Sequence, residues 1–516
     1  MIRLTTIRTI GYLLGIVLPL HAQQGSALFG SLAPGRYAVG FSTKALRDST
    51  RFDLPKINAR GNPEAADRSR KLVVHLWYPA TQTSARRMTV ADYEVSHFAD
   101  TVSESTRRAA DANMRSFIAA WGPVSDSAWT SFRSTALLAQ RDAAPASGRF
   151  PLVVGQLRPF STTITNEYLA SHGYVVAMVD GFSPDIPDPG AGLEIAVRDM
   201  EFTVPAMRKL PYVDPTKLAA LGFSGSGFSQ ILFAMRHPDV DAVSDLESAI
   251  FATTFWPLSG GYGYDVAALR VPFLHTYSVA LSRNDNRFSD FEAMRYSQRY
   301  HYLVDAPNIH HWDFATEGMA ASTVLKNRGE NGPRYRQAFE TTNRYLLAFF
   351  NAYVKGDARE LAYLRRDPAA NGAPAGLATI RELPAVRPAP TVADFERLIA
   401  DRGIDSALVV FGTARGADPL AQLFDERRLN SLAYRLLRRE KRPEALTIFR
   451  TILQLYPTSA NAHDSFSEAL EAAGDRAQAI EVARKGLEAL DREQLPTERK
   501  TQLKGTLEAR LKRLAP

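Results

Sequence analysis

The chain has 516 residues, of which 45% are hydrophobic, and a formal net charge of +7. This length exceeds that of one ordinary domain, and the apolar content suffices for buried cores, so two domains are expected. The sequence contains no cysteine, which excludes disulfides, thiol nucleophiles and thiolate metal ligands. Its basic residues are scattered apart from the stretch 435–442, which argues against nucleic-acid binding.

The N-terminus begins with the sequence MIRLTTIRTIGYLLGIVLPLHAQQ. Arg3 and Arg8 are followed by an apolar run from Ile10 to Leu20, and Ala22 suits a small-residue cleavage site. The pattern predicts a signal peptide over residues 1–22 and a secreted or periplasmic mature protein. A membrane anchor is the less favoured alternative, because the apolar run is shorter than the ~20 residues that span a bilayer.

Short apolar runs, separated mostly by helical patterns, follow this N-terminal segment. Such alternation is typical of parallel strands that helices cover on both faces. The sequence therefore predicts an α/β fold with a mostly parallel sheet. The predicted strands are Leu72 to Tyr78, Leu152 to Val154, Tyr174 to Val179, Leu218 to Leu221, Val271 to Tyr277 and Tyr300 to Val304.

Two segments lack this alternation. Residues Met88 to Arg149 are polar, helix-prone and rich in Ala, Ser and Arg, and we expect them to form a lid or cap over one edge of the sheet. Residues Asp367 to Pro390 are rich in proline and alanine, which predicts a linker. These boundaries give an α/β domain at 23–366 and a second domain at 391–516.

The second domain contains an internal repeat. The segment EALTIF at 444–449 recurs loosely as QAIEVA at 478–483. This shift equals the tetratricopeptide period of about 34 residues. Small residues at Ala433 and Ser467 keep the same shift. We therefore predict a tetratricopeptide-like helical domain. A generic pair of alanine-rich helical hairpins is the alternative, because two repeats are few for a solenoid.

One decapeptide carries the main catalytic candidate. LGFSGSGFSQ at 221–230 places Ser224 between a strand-like and a helical segment, and Gly222 and Gly225 permit a sharp turn there. The sequence departs from G-x-S-x-G at its last position, where Ser226 supplies a small side chain in place of glycine. We interpret Ser224 as a nucleophile, with a glycine- and serine-rich loop without catalysis as the alternative.

A serine hydroxyl becomes nucleophilic when a histidine removes its proton. In the segment NIHHWDFAT, His311 follows the last predicted strand and stands two residues before Asp313, where a hydrolase histidine is expected. His310 is its rival. A histidine pair can bind metal, but other clustered ligands are missing from the sequence, so we predict neither a metal nor a cofactor.

The carboxylate that would orient this histidine is less well specified. Val243 to Glu247 reads as a strand, on which Asp245 and Glu247 would project to the same face. Asp285, which follows the strand Val271 to Tyr277, is a third candidate. A structural salt bridge is the alternative role for each of them.

Several segments together resemble the dienelactone hydrolase-like bacterial proteins of the α/β-hydrolase superfamily, which are related to platelet-activating factor acetylhydrolases. The resemblance spans Tyr37 to about Leu347. It rests on HLWYPA, PLVV, EYLASHGYVV, GLEIAVRDMEF, GFSGSG, SDLES and HHWDF. It implies an α/β-hydrolase fold and ester hydrolysis. The C-terminal part is similar to tetratricopeptide modules that are appended to exported serine hydrolases.

The resemblance also implies a catalytic triad. The family's elbow GFSWGG falls on 222–227, which makes Ser224 the nucleophile, and its H-x-D-F pattern makes His311 the base. In the acetylhydrolase branch the acid lies at the position of Glu247, which therefore outranks Asp245.

An oxyanion hole is expected beside Ser224. The backbone N–H of Gly225 would supply one donor, and the loop GQLRPFS after Val154 would supply another. Pro159 has no N–H, so Arg158 or Phe160 would have to serve.

These inferences predict an exported serine hydrolase that cleaves a small-molecule or lipid carboxylic ester through an acyl-enzyme on Ser224. The alternative is a catalytically inactive hydrolase fold that acts as a binding or scaffold protein through its tetratricopeptide module. The altered elbow and Pro159 keep this alternative open. The helical module is expected to bind a protein partner or to pack on its own enzyme domain, and no membrane span is expected.

Overall fold

A computed structural model describes residues 25–52, 69–94, 96, 103–156, 160–180, 189–248, 264–282 and 288–515. The chain divides into two compact units, with the boundary between Ala385 and Val386. The predicted signal peptide lies outside the described residues. Within those residues, no helix combines the length and the apolar character needed to cross a bilayer.

In the described residues, the first unit is built on a sheet of 11 strands with the order β11-β10-β9-β8-β7-β5-β6-β2-β1-β4-β3. Strands β6, β5, β7, β8, β9 and β10 are neighbours and run parallel, whereas β2 is antiparallel to both β1 and β6. The strands are β1 (Ala38–Phe52), β2 (Ser69–Ala80), β3 (Arg87–Thr89), β4 (Ala136–Arg141), β5 (Phe150–Gln156), β6 (Val175–Asp180), β7 (Val213–Phe223), β8 (Ala242–Leu246), β9 (Phe273–Ser278), β10 (Arg299–Val304) and β11 (Ala378–Leu383).

Two hydrophobic clusters cover the opposite faces of this sheet. Along β5, Val153 belongs to one cluster and its neighbours Leu152 and Val154 belong to the other, as the alternation of a strand requires. The helices of this unit are α1 (Val90–Glu94), α2 (Glu104–Ala119), α3 (Asp126–Ser134), α4 (Thr163–Ser171), α5 (Pro189–Arg208), α6 (Ser226–Arg236), α7 (Val279–Ser282), α8 (Phe288–Ala293), α9 (Thr316–Thr323), α10 (Gly332–Tyr353) and α11 (Ala358–Leu364). The architecture confirms the predicted α/β fold class, a mostly parallel sheet with helices on both faces.

The segment Met88 to Arg149 differs in part from the helical lid expected from its sequence. It contains α1, α2 and α3, but β4 within it pairs in parallel with β1 and extends the sheet. Leu137, Leu138 and Ala139 on β4 are buried. Their intrinsic preference for helix is overridden because this position offers them a strand partner and a core.

The predicted linker from Asp367 to Pro390 is also corrected by the structure. Its residues Ala378–Leu383 form β11, which pairs antiparallel with β10 and completes the sheet edge. Leu377, just before β11, is fully buried. The proline and alanine content of this segment is a local property. It could not indicate that the segment pairs with β10, which lies far earlier in the sequence.

The second unit, residues 386–516, is all-helical where it is described. A long helix kinks at Gly403, and two hairpins and a last helix follow it. The helices of the first hairpin and those of the second begin at equivalent positions of the repeat, as the sequence period predicts. The helices are α12 (Val392–Ala417), α13 (Glu426–Arg438), α14 (Arg442–Leu455), α15 (Ala460–Ala472), α16 (Arg476–Arg492) and α17 (Thr497–Leu514).

The repeat is also visible in side-chain contacts between the hairpins. The hydroxyl of Tyr434 donates to Glu468 at 2.9 Å, and these residues occupy the same position in the two repeats. Ala445 and Ala479, which anchored the repeat in the sequence, are both fully buried. The assignment of this unit to the tetratricopeptide class stays a prediction.

Candidate active site

Ser224 lies at the tip of a tight turn between β7 and α6. Its φ angle is +56°, a left-handed conformation that is strained for a residue with a side chain. The turn is held by hydrogen bonds from the Ser224 N–H to Leu246 O and from the Gly227 N–H to Ser224 O, both 3.0 Å. The strained turn presents the serine at the carboxyl end of the central strand, as a nucleophile elbow does.

Glycine is required at two positions of this elbow. A Cβ on Gly222 would lie 2.7 Å from the Gly227 Cα, and a Cβ on Gly227 would lie 2.4 Å from the Ser248 Oγ. In the pattern G-x-S-x-G the second glycine would stand at position 226. In the structure, the residue that lies too close to its neighbours to carry a Cβ is Gly227. Ser226 instead uses its side chain: its Oγ accepts from the Phe223 N–H at 2.9 Å and donates to the Phe223 carbonyl at 2.7 Å.

His311 reaches Ser224 from the loop after β10. Its Nε2 lies 2.8 Å from the Ser224 Oγ, although 87 residues separate the two in sequence. The imidazole stacks on the ring of Phe223, with centroids 4.8 Å apart and planes 21° apart. Of the two adjacent histidines, His311 is therefore the one in contact with the serine.

The neighbours of His311 hold its loop in place. His310 and Asp313 form a reciprocal capping box: the His310 N–H donates to Asp313 Oδ2 at 2.7 Å, and the His310 side chain caps the short helix His311–Phe314. Arg328 forms an ion pair with Asp313 at 2.5 Å. His310 and Asp313 thus position the loop, a role that the sequence motif H-x-D-F did not reveal.

Burial lowers the pKa of His311 to about 4, and the charge of neighbouring His310 acts in the same direction. The imidazole is therefore neutral at physiological pH. A neutral imidazole can accept a proton from a hydroxyl at Nε2.

The predicted oxyanion donors lie around the start of α6. Gly225 is the N-cap of this helix, and no hydrogen bond recorded among the described residues uses its N–H. A helix N-terminus favours negative charge, and α6 is 11 residues long. Phe160 is buried and its carbonyl accepts from the Thr163 N–H at 3.0 Å. Arg158 and Pro159 lie outside the described residues.

Glu247 follows β8 directly, as Ser224 follows β7, and the residues before them, Leu246 and Phe223, are paired in the sheet. Its carboxylate is buried and accepts two hydrogen bonds from Ser278, from the N–H and from the hydroxyl, both at 2.6 Å. Burial raises the pKa of Glu247 to about 7, against the opposing effect of these hydrogen bonds. Among the described residues, no recorded hydrogen bond joins a carboxylate to His311.

Asp245 has a different histidine partner. Both of its carboxylate oxygens lie within 2.9 Å of the His275 Nδ1, and both side chains are fully buried. This pair joins β8 to β9, which matches the structural salt bridge considered for Asp245. Sequence inspection missed His275, although it lies on the predicted strand Val271 to Tyr277. Asp285 lies outside the described residues.

Four aromatic side chains form a ridge beside the histidine, here called the aromatic ridge. Phe223 and Trp312 lie 5.5 Å apart, Trp312 and Phe117 lie 4.8 Å apart, and Phe117 and Trp121 lie 5.3 Å apart, each between ring centroids. Phe117, on α2, is 37% exposed, which is unusual for a side chain of this size among the described residues. The segment between Met88 and Arg149 thus brings apolar surface next to the loop that carries His311.

Comparisons with known proteins give no family assignment. No protein-family model matches the chain, and a search of curated proteins finds no match either. Among solved structures, the chain is similar to a ferulic acid esterase from Streptomyces cinnamoneus, with a TM-score of 0.44 and 21% identity. The match covers 68% of this chain and 98% of the esterase. This likeness is too distant to carry an inference about activity.

Proposed function

We propose that this chain is a serine hydrolase that cleaves carboxylic esters through an acyl-enzyme on Ser224. The observation that carries the proposal is the 2.8 Å contact between Ser224 Oγ and the neutral His311 Nε2, at a serine with a φ angle of +56°. A hydrogen-bonded histidine beside a serine on a strained strand-to-helix turn is the arrangement that activates a hydroxyl for attack.

In the proposed reaction, His311 Nε2 takes the proton of Ser224 as Oγ attacks the ester carbonyl carbon. The carbonyl oxygen becomes an oxyanion, which would be stabilised by the Gly225 N–H and by a second N–H from Arg158 or Phe160. The imidazolium then gives its proton to the departing alcohol. Water attacks the acyl-enzyme with His311 again as the base, which restores the Ser224 hydroxyl and releases the acid.

Glu247 is our candidate for the carboxylate that orients His311. It is buried, it has lost most of its hydration, and it follows the strand adjacent to that of Ser224. Its carboxylate is held by Ser278, so the proposed role requires it to engage His311 Nδ1 during the reaction. Asp245 is disfavoured because its carboxylate is already paired with the His275 imidazole.

The aromatic ridge supports an ester with an apolar acyl or alcohol group, either a small molecule or a lipid. Phe117 and Trp312 present rings beside the histidine loop, where they can cover apolar parts of a substrate. We also propose export of the protein and recruitment of a partner by the helical unit, on the sequence patterns described above.

A fluorophosphonate probe tests the proposal without knowledge of the natural ester. The wild-type protein should be labelled on Ser224, and Ser224→Ala should abolish labelling. His311→Ala should reduce labelling by at least about a hundredfold, because the two residues act as a unit. His310→Asn, which keeps a side chain able to cap, is the matched control and should be labelled. Failure to label the folded wild-type protein would favour the inactive binding or scaffold protein.

A further inference from the structure

A cleft lies in the first unit, away from Ser224. It encloses about 520 Å³, and its walls include Arg36, Tyr37, Arg149, His172 and Lys355. Phe150, which begins β5, also lines it, and so does Gly173, two residues before β6. The cleft is therefore at the amino-terminal edge of the parallel strands. Ser224 follows the carboxyl end of the neighbouring strand, and the seven residues of β5 alone span about 20 Å.

Three cations face this cleft without a carboxylate partner in the part of the chain that the structure describes. Among the described residues, no ion pair within 4.0 Å involves Arg36, Arg149 or Lys355. The described wall of the cleft contains no acidic side chain. Two carboxylates act on these cations from beyond ion-pair distance: Glu360 on Lys355, and Asp214 with Arg149. Uncompensated cations that share a concave surface produce a local positive potential.

The cleft also has ordered walls. Lys355 Nζ donates to the His172 carbonyl at 2.7 Å and lies 3.8 Å from the centroid of the Tyr174 ring. The Arg36 guanidinium donates to the Tyr37 hydroxyl at 2.6 Å and stacks over that ring at 4.8 Å. These contacts leave further N–H groups on both cations, because an ammonium has three donors and a guanidinium has five.

A glycine keeps the floor of the cleft open. Gly173 has a φ angle of +88°, and a Cβ there would lie 3.2 Å from the Tyr37 ring and 3.6 Å from Lys355 Nζ. Desolvation, and then the charge of Arg36, lower the pKa of Lys355 to about 8. An anion between these two cations would relieve their repulsion.

We propose that this cleft binds a phosphate-type oxyanion, through Arg36, Arg149 and Lys355. A phosphate offers several acceptor oxygens in different directions and up to two negative charges, which suits three separate cations better than a single carboxylate does. The phosphoryl group could belong to a free phosphate compound or to the headgroup of an anionic phospholipid. The inference is independent of the proposed hydrolase activity, because none of its residues belongs to the Ser224 site.

Titration calorimetry of the full chain with inorganic phosphate tests the site, at constant ionic strength and with chloride as the comparison ion. We expect saturable binding of phosphate with one site per chain. Arg149→Gln and Arg36→Gln should each weaken it about tenfold or more, which is the usual effect of losing one charged hydrogen bond. Arg107→Gln removes the same charge from α2, where Arg107 is exposed and has no ion pair among the described residues, and should change nothing.

Vesicles distinguish the two sources of the phosphoryl group. Sedimentation with phosphatidylglycerol vesicles, against phosphatidylcholine vesicles, should show binding that Arg149→Gln weakens if the headgroup is the ligand. Binding of free phosphate without binding of vesicles assigns the site to soluble phosphate compounds. The proposal is overturned if neither phosphate nor vesicles bind the folded wild type, or if Arg107→Gln weakens binding as much as Arg149→Gln.

Discussion

The hydroxyl of Ser226 forms two hydrogen bonds to the backbone of Phe223, accepting from its N–H at 2.9 Å and donating to its carbonyl at 2.7 Å. The residue that departs from the nucleophile-elbow pattern therefore closes the turn that presents Ser224. The glycine that the turn requires lies one residue later, at 227, where a Cβ would collide with Ser248.

The first prediction concerns this substitution in the pattern. Ser226→Ala should cost about 1 to 3 kcal/mol of unfolding free energy, because it leaves the buried Phe223 N–H without an acceptor. Ser226→Gly restores the pattern but should be less stable still, by about 0.5 to 1 kcal/mol, because glycine adds freedom to the unfolded chain. Denaturant unfolding measures both.

Ser229→Ala is the matched control for this experiment, since the Ser229 hydroxyl donates to the Ser226 carbonyl at 2.8 Å and makes no hydrogen bond to Phe223 among the described residues. It should leave ester turnover close to that of the wild type, whereas both Ser226 variants should lower it. A Ser226→Gly protein that is more stable than wild type would show that the two hydrogen bonds are not formed in solution.

The second prediction ranks the candidate acids. Glu247→Gln should lower kcat by at least about a hundredfold, since an amide cannot stabilise the imidazolium that forms on His311. Asp245→Asn should instead lower the free energy of unfolding and leave kcat largely unchanged, because its partner is buried His275. Asp285→Asn should be mild. Measuring kcat and the unfolding midpoint for all three separates catalysis from stability, and the opposite ranking would assign the acid elsewhere.

The third prediction concerns pH. Glu247 must be ionised to orient His311, and His311 must be neutral to act as a base. Their pKa values of about 7 and about 4 predict that kcat/KM falls partly as the pH is lowered through about 7, and that its acid limb lies at about pH 4. His310→Asn removes the neighbouring charge that contributes to the lowering and should move the acid limb to higher pH. Glu247→Gln should remove the fall near pH 7, and a fall there that persists in this variant would mean that another group titrates at that pH.

The fourth prediction concerns the aromatic ridge. Phe117→Ala should raise KM for esters with long or aromatic acyl groups, because it removes exposed apolar surface beside the histidine loop, while p-nitrophenyl acetate should be turned over as before. Val409→Ala, which shortens another exposed apolar residue on α12, is the control. Equal effects of Phe117→Ala on the small and the large esters would place the ridge outside the substrate path.

The fifth prediction concerns the end of the first unit. A chain truncated after Ala385 keeps β11 and should fold and hydrolyse p-nitrophenyl acetate. A chain truncated after Asp367 loses β11 and exposes the edge of β10, together with the core that Leu377 covers, so it should unfold at lower temperature and aggregate. Thermal unfolding and light scattering compare the two. Equal stability would show that β11 contributes nothing to the sheet.

Much of the fold could be predicted from the sequence because the information was local. Each central strand is a short apolar run, and buried parallel strands need that composition on both faces. The recurrence of 444–449 at 478–483 likewise predicted two hairpins whose helices begin at the same spacing. The glycines and serines around Ser224 marked a turn, since few other residues tolerate one so sharp.

Contacts between distant segments could be decided only by the tertiary structure. Local composition predicted a linker at β11 and a helix at β4, because the composition of a segment does not identify the strand with which it pairs. Period-two alternation placed Asp245 and Glu247 on one face, but it could not tell that His275 would bind the first and Ser278 the second. The tertiary structure also distinguishes His311 from His310. His310 forms the capping box with Asp313, whereas His311 stacks on Phe223 and contacts Ser224.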